Sequence, residues 1–422
     1  MSNGTLIVGA SQAGLQLAVS LRQLGDTAPI TLVGEEAHPP YQRPPLSKDF
    51  LTSEASAESL SLRADVFYAD ARIDLVSGER VSELALSSSG LPGSGVATTA
   101  TGRSLPFDRL ALTVGAAPRR LALPGDGLDG ICYLRDRDDA VDLRGRLADA
   151  SCVVVVGGGF IGLEAASVAR ALGKTVTVVE AAQRLIPRAV APVVSEFYRQ
   201  AHARRGTGVL LSSQVSGFGG ADGRVTEVLL TDGTRLPADL VLVGVGVVPR
   251  TELAEQLGLE CDGGIVVDSY ARTSNPGVAA AGDCTVQPHP TTGLGRVRLE
   301  SVQNAVTQAG TAAATLLGTL QDARTVPWFW SHQGDLKLQI AGLSTGYDDF
   351  VVRGEPDSER FSVLYYRRDE LLAIDSVNSP GDYMAVRKAL SEQVTIPRDR
   401  AGDPGTPLKT LLAQRAEPVQ PR

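Results

Sequence analysis

The sequence predicts an α/β protein built from two parallel-sheet units, with an α+β domain closing the chain. Three observations carry this. The apolar β-branched run Val153-Val154-Val155-Val156 enters Gly157-x-Gly159-x-x-Gly162, feeds a helix-period segment to Leu172, stops at Gly173 and resumes as a second β run over 176–179. The same order opens the chain: a short strand over 5–8, Gly9-Ala10-Ser11-Gln12-Ala13-Gly14, a helix through Leu24, and a strand over 30–33. From Pro327 the texture shifts to short strand-like runs and one late helix, headed by Pro327-Trp328-Phe329-Trp330. Strand–helix–strand repeats make parallel sheets, and a run of strands followed by a helix makes a separate α+β layer.

Each glycine turn has a specific use. Gly157 allows the tight turn, Gly159 lets a pyrophosphate approach the backbone, and Gly162 lets helix pack on strand. The free amides of the first helical turn then hold the phosphates. Glu180 ends the second strand, where a carboxylate binds a ribose 2′-hydroxyl and repels a 2′-phosphate. Its neighbours Ala181 and Ala182 carry no cation, so the pattern reads as NADH rather than NADPH, tempered by Arg184. In the first unit Gly34 follows the strand directly and Glu35 is the first acid. Ser11 stands at the middle glycine position, where its hydroxyl can join the phosphate contact. Two such units far apart in the chain are two Rossmann-like nucleotide sites.

Composition narrows the class. The 422 residues suffice for two or three domains, and 43% hydrophobic content supports full cores. A net charge of −8 argues against nucleic-acid or anionic-membrane binding. No window approaches eighteen apolar residues, which reads as a soluble, cytoplasmic protein. The cysteines Cys132, Cys152, Cys261 and Cys284 are scattered without a CxxC pair, and Cys152 and Cys284 read as packing residues. Four scattered histidines offer no metal site.

Between the units, Pro39-Pro40-Tyr41-Gln42-Arg43-Pro44-Pro45-Leu46-Ser47-Lys48 is a stiff loop in which Ser47 caps the short helix that follows. Arg43 and Lys48 there neutralise charge on a bound dinucleotide; the alternative is an ordinary proline-rich surface loop. Runs over 76–86 and 105–114 read as two antiparallel strands joined by a Ser/Gly-rich turn over 87–95. A helix over 189–205 and strands near Val209, over 225–230 and over 240–243 complete the second unit, and Gly244-Val245-Gly246 returns the chain to the first. A small-residue strand over 278–282 ends in Asp283, read as a ligand position rather than a plain turn. Glu300-Ser301 precede an Ala-rich helix to about Leu320, whose N-terminus offers its positive end to an anion. The last domain reads as strands over 336–341, 350–353, 361–367 and 371–377, then a helix over 381–390 and a proline-rich tail. Trp328 reads as core, and one tryptophan of the pair as core or cofactor-facing.

Taken in order, Gly9 to Gly14, Tyr41 to Lys48, Gly157 to Glu164, Glu180, Gly244 to Pro249, Ala281 to Asp283, Glu300 to Ala305 and Pro327 to Gln333 resemble the FAD-dependent, NADH-using ferredoxin reductases of bacterial cytochrome P450 and ring-hydroxylating dioxygenase systems, the putidaredoxin reductase type. The resemblance implies a glutathione-reductase-like fold. It comprises an FAD domain over 1–115 and 246–322, an NADH domain over 116–245, and a C-terminal domain over 323–422 covering the flavin. By position it implies that Gly9, Ser11, Gly14 and Glu35 bind the FAD adenosine diphosphate, and that Arg43, Lys48, Asp283 and the backbone near Val302 hold the rest. It further implies cofactor contacts at Val81, Arg135, Gly157, Gly159, Phe160, Ile161, Gly162, Glu180, Gly246 and Glu300. Lys48 and Glu164 are implied to face each other near flavin N5, with Trp330 beside the ring.

The expected reaction is hydride transfer from NADH to FAD, then single-electron transfers to a small acidic iron–sulfur ferredoxin. The protein is expected to be a monomer or weak homodimer. The loop Arg43-Pro44-Pro45-Leu46-Ser47 lacks the thiol that disulfide reductases and related peroxidases place beside flavin, so electrons leave to an external acceptor. Rivals on the same scaffold are a rubredoxin reductase or an NADH diaphorase; a rival of another class is an apoptosis-inducing-factor-like redox-regulated binding flavoprotein. Candidate docking cations are Arg296, Arg298, Lys337 and Lys409. Departures from the family pattern are Thr113-Val114-Gly115 in place of Ala-Thr-Gly, Arg250 in place of Asn, and His332 and Gly334 in place of Asp and Tyr. The histidine is expected to lend pH sensitivity.

Overall fold

The computed structural model describes residues 2–52, 54–88, 93–291, 295–321 and 325–412. Part of the predicted Ser/Gly-rich turn, the boundary near residue 322 and the end of the proline-rich tail lie outside the described residues. Two compact units emerge: Met1–Arg43, Ala57–Ala117 and Val247–Thr325 form one, and Pro44–Ser56, Pro118–Gly246 and Val326–Arg422 the other.

In the first unit, five parallel strands run in the order Val278–Ala280, Arg109–Leu112, Thr5–Val8, Ile30–Val33, Ile73–Val76. Both faces are covered, which is why these strands read as unbroken apolar runs. Leu6 and Val8 face one core with Phe107 and Val278, while Ile7 faces the other. On that second face lie the helices Gln12–Gln23 and Val302–Leu316. Leu17 and Leu21 meet Ala309, Ala312 and Ala313 there, all fully buried, and the methyl side chains let the helices approach closely. Ser301 caps the second helix by accepting from the Asn304 amide at 3.1 Å.

The runs over 76–86 and 105–114 are each two strands rather than one. Ile73–Val76 ends in the parallel sheet, the chain turns at Gly78 (φ +74°), and Val81–Leu86 starts a separate antiparallel sheet with Gly95–Thr99 and Ser104–Phe107. The second break is at Asp108, whose carboxylate accepts from the Ser2 hydroxyl and the Asn3 and Gly4 amides. Apolar periodicity cannot show a chain changing sheets.

The second unit holds a parallel sheet ordered Gly208–Leu210, Thr175–Val179, Cys152–Val156, Leu240–Val243, Ile131–Tyr133. The helix Phe160–Ala171 follows its central strand, and Pro192–Arg204 begins with proline at its first turn, later than the predicted 189. A three-stranded antiparallel sheet spans residues 215–237. The last layer is antiparallel, ordered Trp328–Gln333, Leu336–Gly342, Glu370–Val377, Arg360–Arg367, Asp349–Glu355, with Pro380–Ser391 packing Tyr383, Val386 and Ala389 against it. Its first strand, the aromatic segment, was not foreseen as a strand because its residues do not alternate. Among the described residues no helix is long and apolar enough to cross a membrane.

Candidate functional site

In the first unit the glycine turn is fixed by contact with its neighbours. Gly9 has φ +114°, and a Cβ there would lie 2.2 Å from the Thr113 carbonyl; one at Gly14 would lie 2.0 Å from the Gly9 carbonyl. The Thr113 hydroxyl donates to the Val8 and Gly9 carbonyls at 3.0 and 2.9 Å, so the threonine that departs from the family pattern braces the turn. Ser11 precedes the helix without capping it, and its hydroxyl accepts from Arg43 Nε at 3.4 Å. The hydroxyl and the guanidinium are thus together at the helix start, where an anion is favoured. Arg43 also pairs with Glu36, as does the Tyr41 hydroxyl.

Glu35 sits past the second strand and pairs with Arg250, with Arg80 Nη1 at 3.7 Å. The arginine at position 250 thus has a partner in the predicted ribose acid. Asp283 follows Gly282 (φ +88°), whose amide donates to Gln308 Oε1 at 2.8 Å. Gln308 belongs to a polar cluster with Thr285, Gln287 and Asn304, none of which sequence reasoning singled out. Val302 is the first residue of its helix, Val81 opens its strand and is buried, and Glu300 accepts from Arg298 at 2.8 Å.

In the second unit the glycines divide by role. A Cβ at Gly157 (φ +110°) would lie 2.4 Å from the Gly244 carbonyl, and one at Gly162 would lie 2.3 Å from the Gly157 carbonyl. A Cβ at Gly159 meets nothing within 4 Å. The protein itself does not require a glycine at 159; the open space before the first helical turn fits a pyrophosphate. Glu180 is held by two backbone amides, Gly158 and Ala182, each at 2.7 Å. Arg184 donates to the Val190 and Pro187 carbonyls and to Ser195 Oγ at 2.6–2.8 Å. Its guanidinium is thus engaged by its own loop and by the first turn of the helix Pro192–Arg204. Phe160 packs against Phe329 in a tilted pair with ring centroids 4.6 Å apart, Ile161 is exposed, and Gly246 has φ +95°. The Arg135 amide donates to Asp139, part of the capping box of the helix Arg137–Asp149.

The same unit brings together Lys48 and Glu164. Lys48 Nζ lies 2.6 Å from Glu164 Oε2, with the side chains 15% and 4% exposed. Ser47 donates to Oε2 at 2.5 Å and Ser331 to Oε1 at 2.7 Å. Ser47 therefore does not cap a following helix: it ends the short 3₁₀ turn Pro44–Ser47 and binds Glu164. Such contacts join residues far apart in sequence and leave no local signal. Trp330 is half-buried and stacks on Trp328 at 5.4 Å; Trp328 is also half-buried, beneath the Arg387 guanidinium at 4.8 Å, rather than in the core.

Gly334 has φ +64°, which favours glycine and strains a tyrosine. Partial desolvation, then the Lys48 and Lys337 ammoniums, hold the His332 imidazole below its ordinary value. Of the candidate docking cations, Arg296 pairs with Glu260 and Asp262 and Arg298 with Glu300, while Lys337 and Lys409 are exposed. All four cysteines are free thiols, and burial pushes those of Cys132 and Cys284 up to about 12.

Residues 4–309 match the pyridine nucleotide-disulphide oxidoreductase family and residues 328–412 the reductase C-terminal family. The chain belongs to the pyridine nucleotide-disulphide oxidoreductase family, and within it groups with ferredoxin reductases. It is 44% identical to the rhodocoxin reductase of Rhodococcus erythropolis over 98% of this chain and 95% of that one. It is 38% identical to the putidaredoxin reductase CamA of Pseudomonas putida, over 98% and 97% of the two chains. Among solved structures, the ferredoxin reductase for the CYP199A2 system of Rhodopseudomonas palustris superposes with a TM-score of 0.92 at 40% identity, covering 98% of this chain and all of that one. The covalent putidaredoxin reductase–putidaredoxin complex gives 0.91 at 38% identity, covering 97% of both. The fold class expected from the sequence is borne out by these matches.

Proposed function

We propose that this chain is an NADH-dependent ferredoxin reductase that passes electrons through FAD to a small iron–sulfur ferredoxin serving a cytochrome P450 or ring-hydroxylating dioxygenase. The observation that carries this reading is the environment of Ser47. A disulphide-type enzyme needs a thiol in that loop; here the position holds a hydroxyl already bound to Glu164, and the buried Cys132 and Cys284 thiols resist ionisation. Electrons therefore leave to an outside acceptor.

FAD, when bound, supplies the conversion of one hydride into two single electrons. The residues present fit it: the turn at Gly9 and Gly14 has no room for side chains, and Ser11 and Arg43 meet at the helix start. We assign FAD binding to these residues with Glu35, Lys48, Val81, Asp283 and Val302, in a domain over 1–115 and 246–322, and a further cofactor contact to Arg135 in the domain over 116–245. NADH binding goes to Gly157, Gly159, Phe160, Ile161, Gly162, Glu180, Gly246 and Glu300, chiefly in a domain over 116–245. Glu180, fixed by two amides, accepts from a ribose hydroxyl and repels a 2′-phosphate. Lys48 presents a cation whose direction Glu164 fixes, and Trp330 presents an aromatic face from the domain over 323–422. The protein is cytoplasmic, a monomer or weak homodimer, and its ferredoxin is acidic; the exposed Lys337 and Lys409 are its docking cations.

Stopped-flow mixing with NADH, followed by cytochrome c reduction with and without a [2Fe–2S] ferredoxin, tests this. A cytochrome c rate that rises steeply only with the ferredoxin supports it. Fast reduction of quinones with no ferredoxin dependence would replace it with a diaphorase.

A further inference from the structure

Behind the Lys48–Glu164 pair a buried hydrogen-bond chain runs to a histidine with no part in the reading above. Ser331 Oγ lies 2.7 Å from Glu164 Oε1, Gln333 Nε2 lies 3.3 Å from Ser331 Oγ, and His202 Nε2 lies 2.8 Å from Gln333 Oε1. His202 is 1% exposed, Gln333 and Ser331 not at all. The helix Pro192–Arg204 supplies the histidine, and the strand Trp328–Gln333 the two residues between.

The direction of this chain follows from one end. A carboxylate beside the Lys48 ammonium has no proton to give, so Ser331 must donate its own proton to Oε1. The serine oxygen is then an acceptor, and only the amide nitrogen of Gln333 can fill it. That turns the Gln333 oxygen toward His202, and the imidazole must carry its proton on Nε2. Burial lowers the affinity of His202 for a second proton, which keeps the ring neutral. The charged and titratable groups acting around the chain include Lys48 and His332 near Glu164, with Lys337 and Asp49 acting on His332, Tyr198 along it, with Asp375 and Glu359 acting on Tyr198, and Arg205 beside His202.

We infer that His202 is a positioning residue for hydride transfer: its Nε2–H, through Gln333 and Ser331, fixes the carboxylate of Glu164 and with it the direction of the Lys48 ammonium. This rests on the proposed role of Lys48 and Glu164. Without the histidine donor, the Gln333 amide is free to turn over, Ser331 loses its orientation, and Glu164 keeps only the donors on its other oxygen.

Two measurements on the FAD-loaded protein test it. The chain has four histidines, so ¹⁵N-histidine labelling gives a spectrum simple enough to resolve, with His202→Gln identifying the signal. The expected result is an Nε2-protonated, Nδ1-bare ring from about pH 6 to about pH 8. A proton on Nδ1, or an imidazolium forming in that range, overturns the inference. Stopped-flow reduction by NADH is the second. His202→Ala is expected to slow hydride transfer about tenfold, since Glu164 loses the donor that orients it. His202→Gln, whose amide can donate to the same oxygen, is expected to restore the rate. Equal loss in the two variants refutes the positioning role. If Lys48→Met and Glu164→Gln leave the rate unchanged, the role assigned to the pair fails instead, while the tautomer still judges the chain.

Discussion

Replacing Lys48 by methionine removes one member of an ion pair whose carboxylate is only 4% exposed. Breaking a buried pair from one side costs about 3–5 kcal/mol, because the remaining charge has lost its partner. Glu164 is not wholly abandoned: Ser47 and Ser331 still donate to it. Each such bond offsets about 1 kcal/mol, so the net loss expected for Lys48→Met is about 2 kcal/mol. Adding Glu164→Gln removes the stranded charge while keeping an oxygen for one hydroxyl, and is expected to return about 1 kcal/mol. Urea unfolding of the two single variants and the double variant, followed by circular dichroism, supplies the cycle. A single variant losing less than about 0.5 kcal/mol, the usual range of a solvated surface pair, or a double variant weaker than Lys48→Met, would refute the reasoning.

Three further outcomes are expected. Gly159→Ala enters open space, so it leaves the melting temperature unchanged yet weakens NADH binding more than about tenfold by titration, whereas Gly162→Ala meets backbone at 2.3 Å and lowers the melting temperature outright. Glu180→Ala frees the Gly158 and Ala182 amides and removes the ribose acceptor; the NADH-over-NADPH ratio of kcat/KM is expected to fall about 10- to 100-fold, read by steady-state kinetics. Burial raises the Asp375 carboxyl to about 7, with its Oδ2 accepting from the Tyr365 hydroxyl. The folded state therefore holds this proton more tightly than the unfolded chain does, and stability falls as pH rises from about 4 to about 7. Asp375→Asn is expected to flatten that decline in thermal melts recorded across the range.

What could be read from the sequence was whatever repeats locally. The valine run into Gly157 is an unbroken apolar stretch, the helix to its C-terminal glycine keeps a 3.6-residue period, the acid at Glu180 follows the next apolar run, and all three fold as read. The breaks at Gly78 and Asp108 escaped because apolar residues resume within a few positions of each, and an apolar pattern does not show a chain changing sheets. The contacts of Ser47 and Ser331 with Glu164 span 117 and 167 residues, and no local pattern carries such a pairing. Trp328 was misjudged for a related reason: size suggests interior, but Arg387 lies over its ring and leaves it half open. Arg250 looked like an unexplained departure until Glu35 proved to be its partner.

The Thr113 hydroxyl, bound to the Val8 and Gly9 carbonyls, has a consequence for how the protein acquires its cofactor. A loop already stitched in its receiving shape surrenders little freedom when a guest arrives, so loading is governed by encounter rather than by rearrangement. Stripped gently, the apoprotein should therefore turn yellow again on simple mixing, without passing through an unfolded chain.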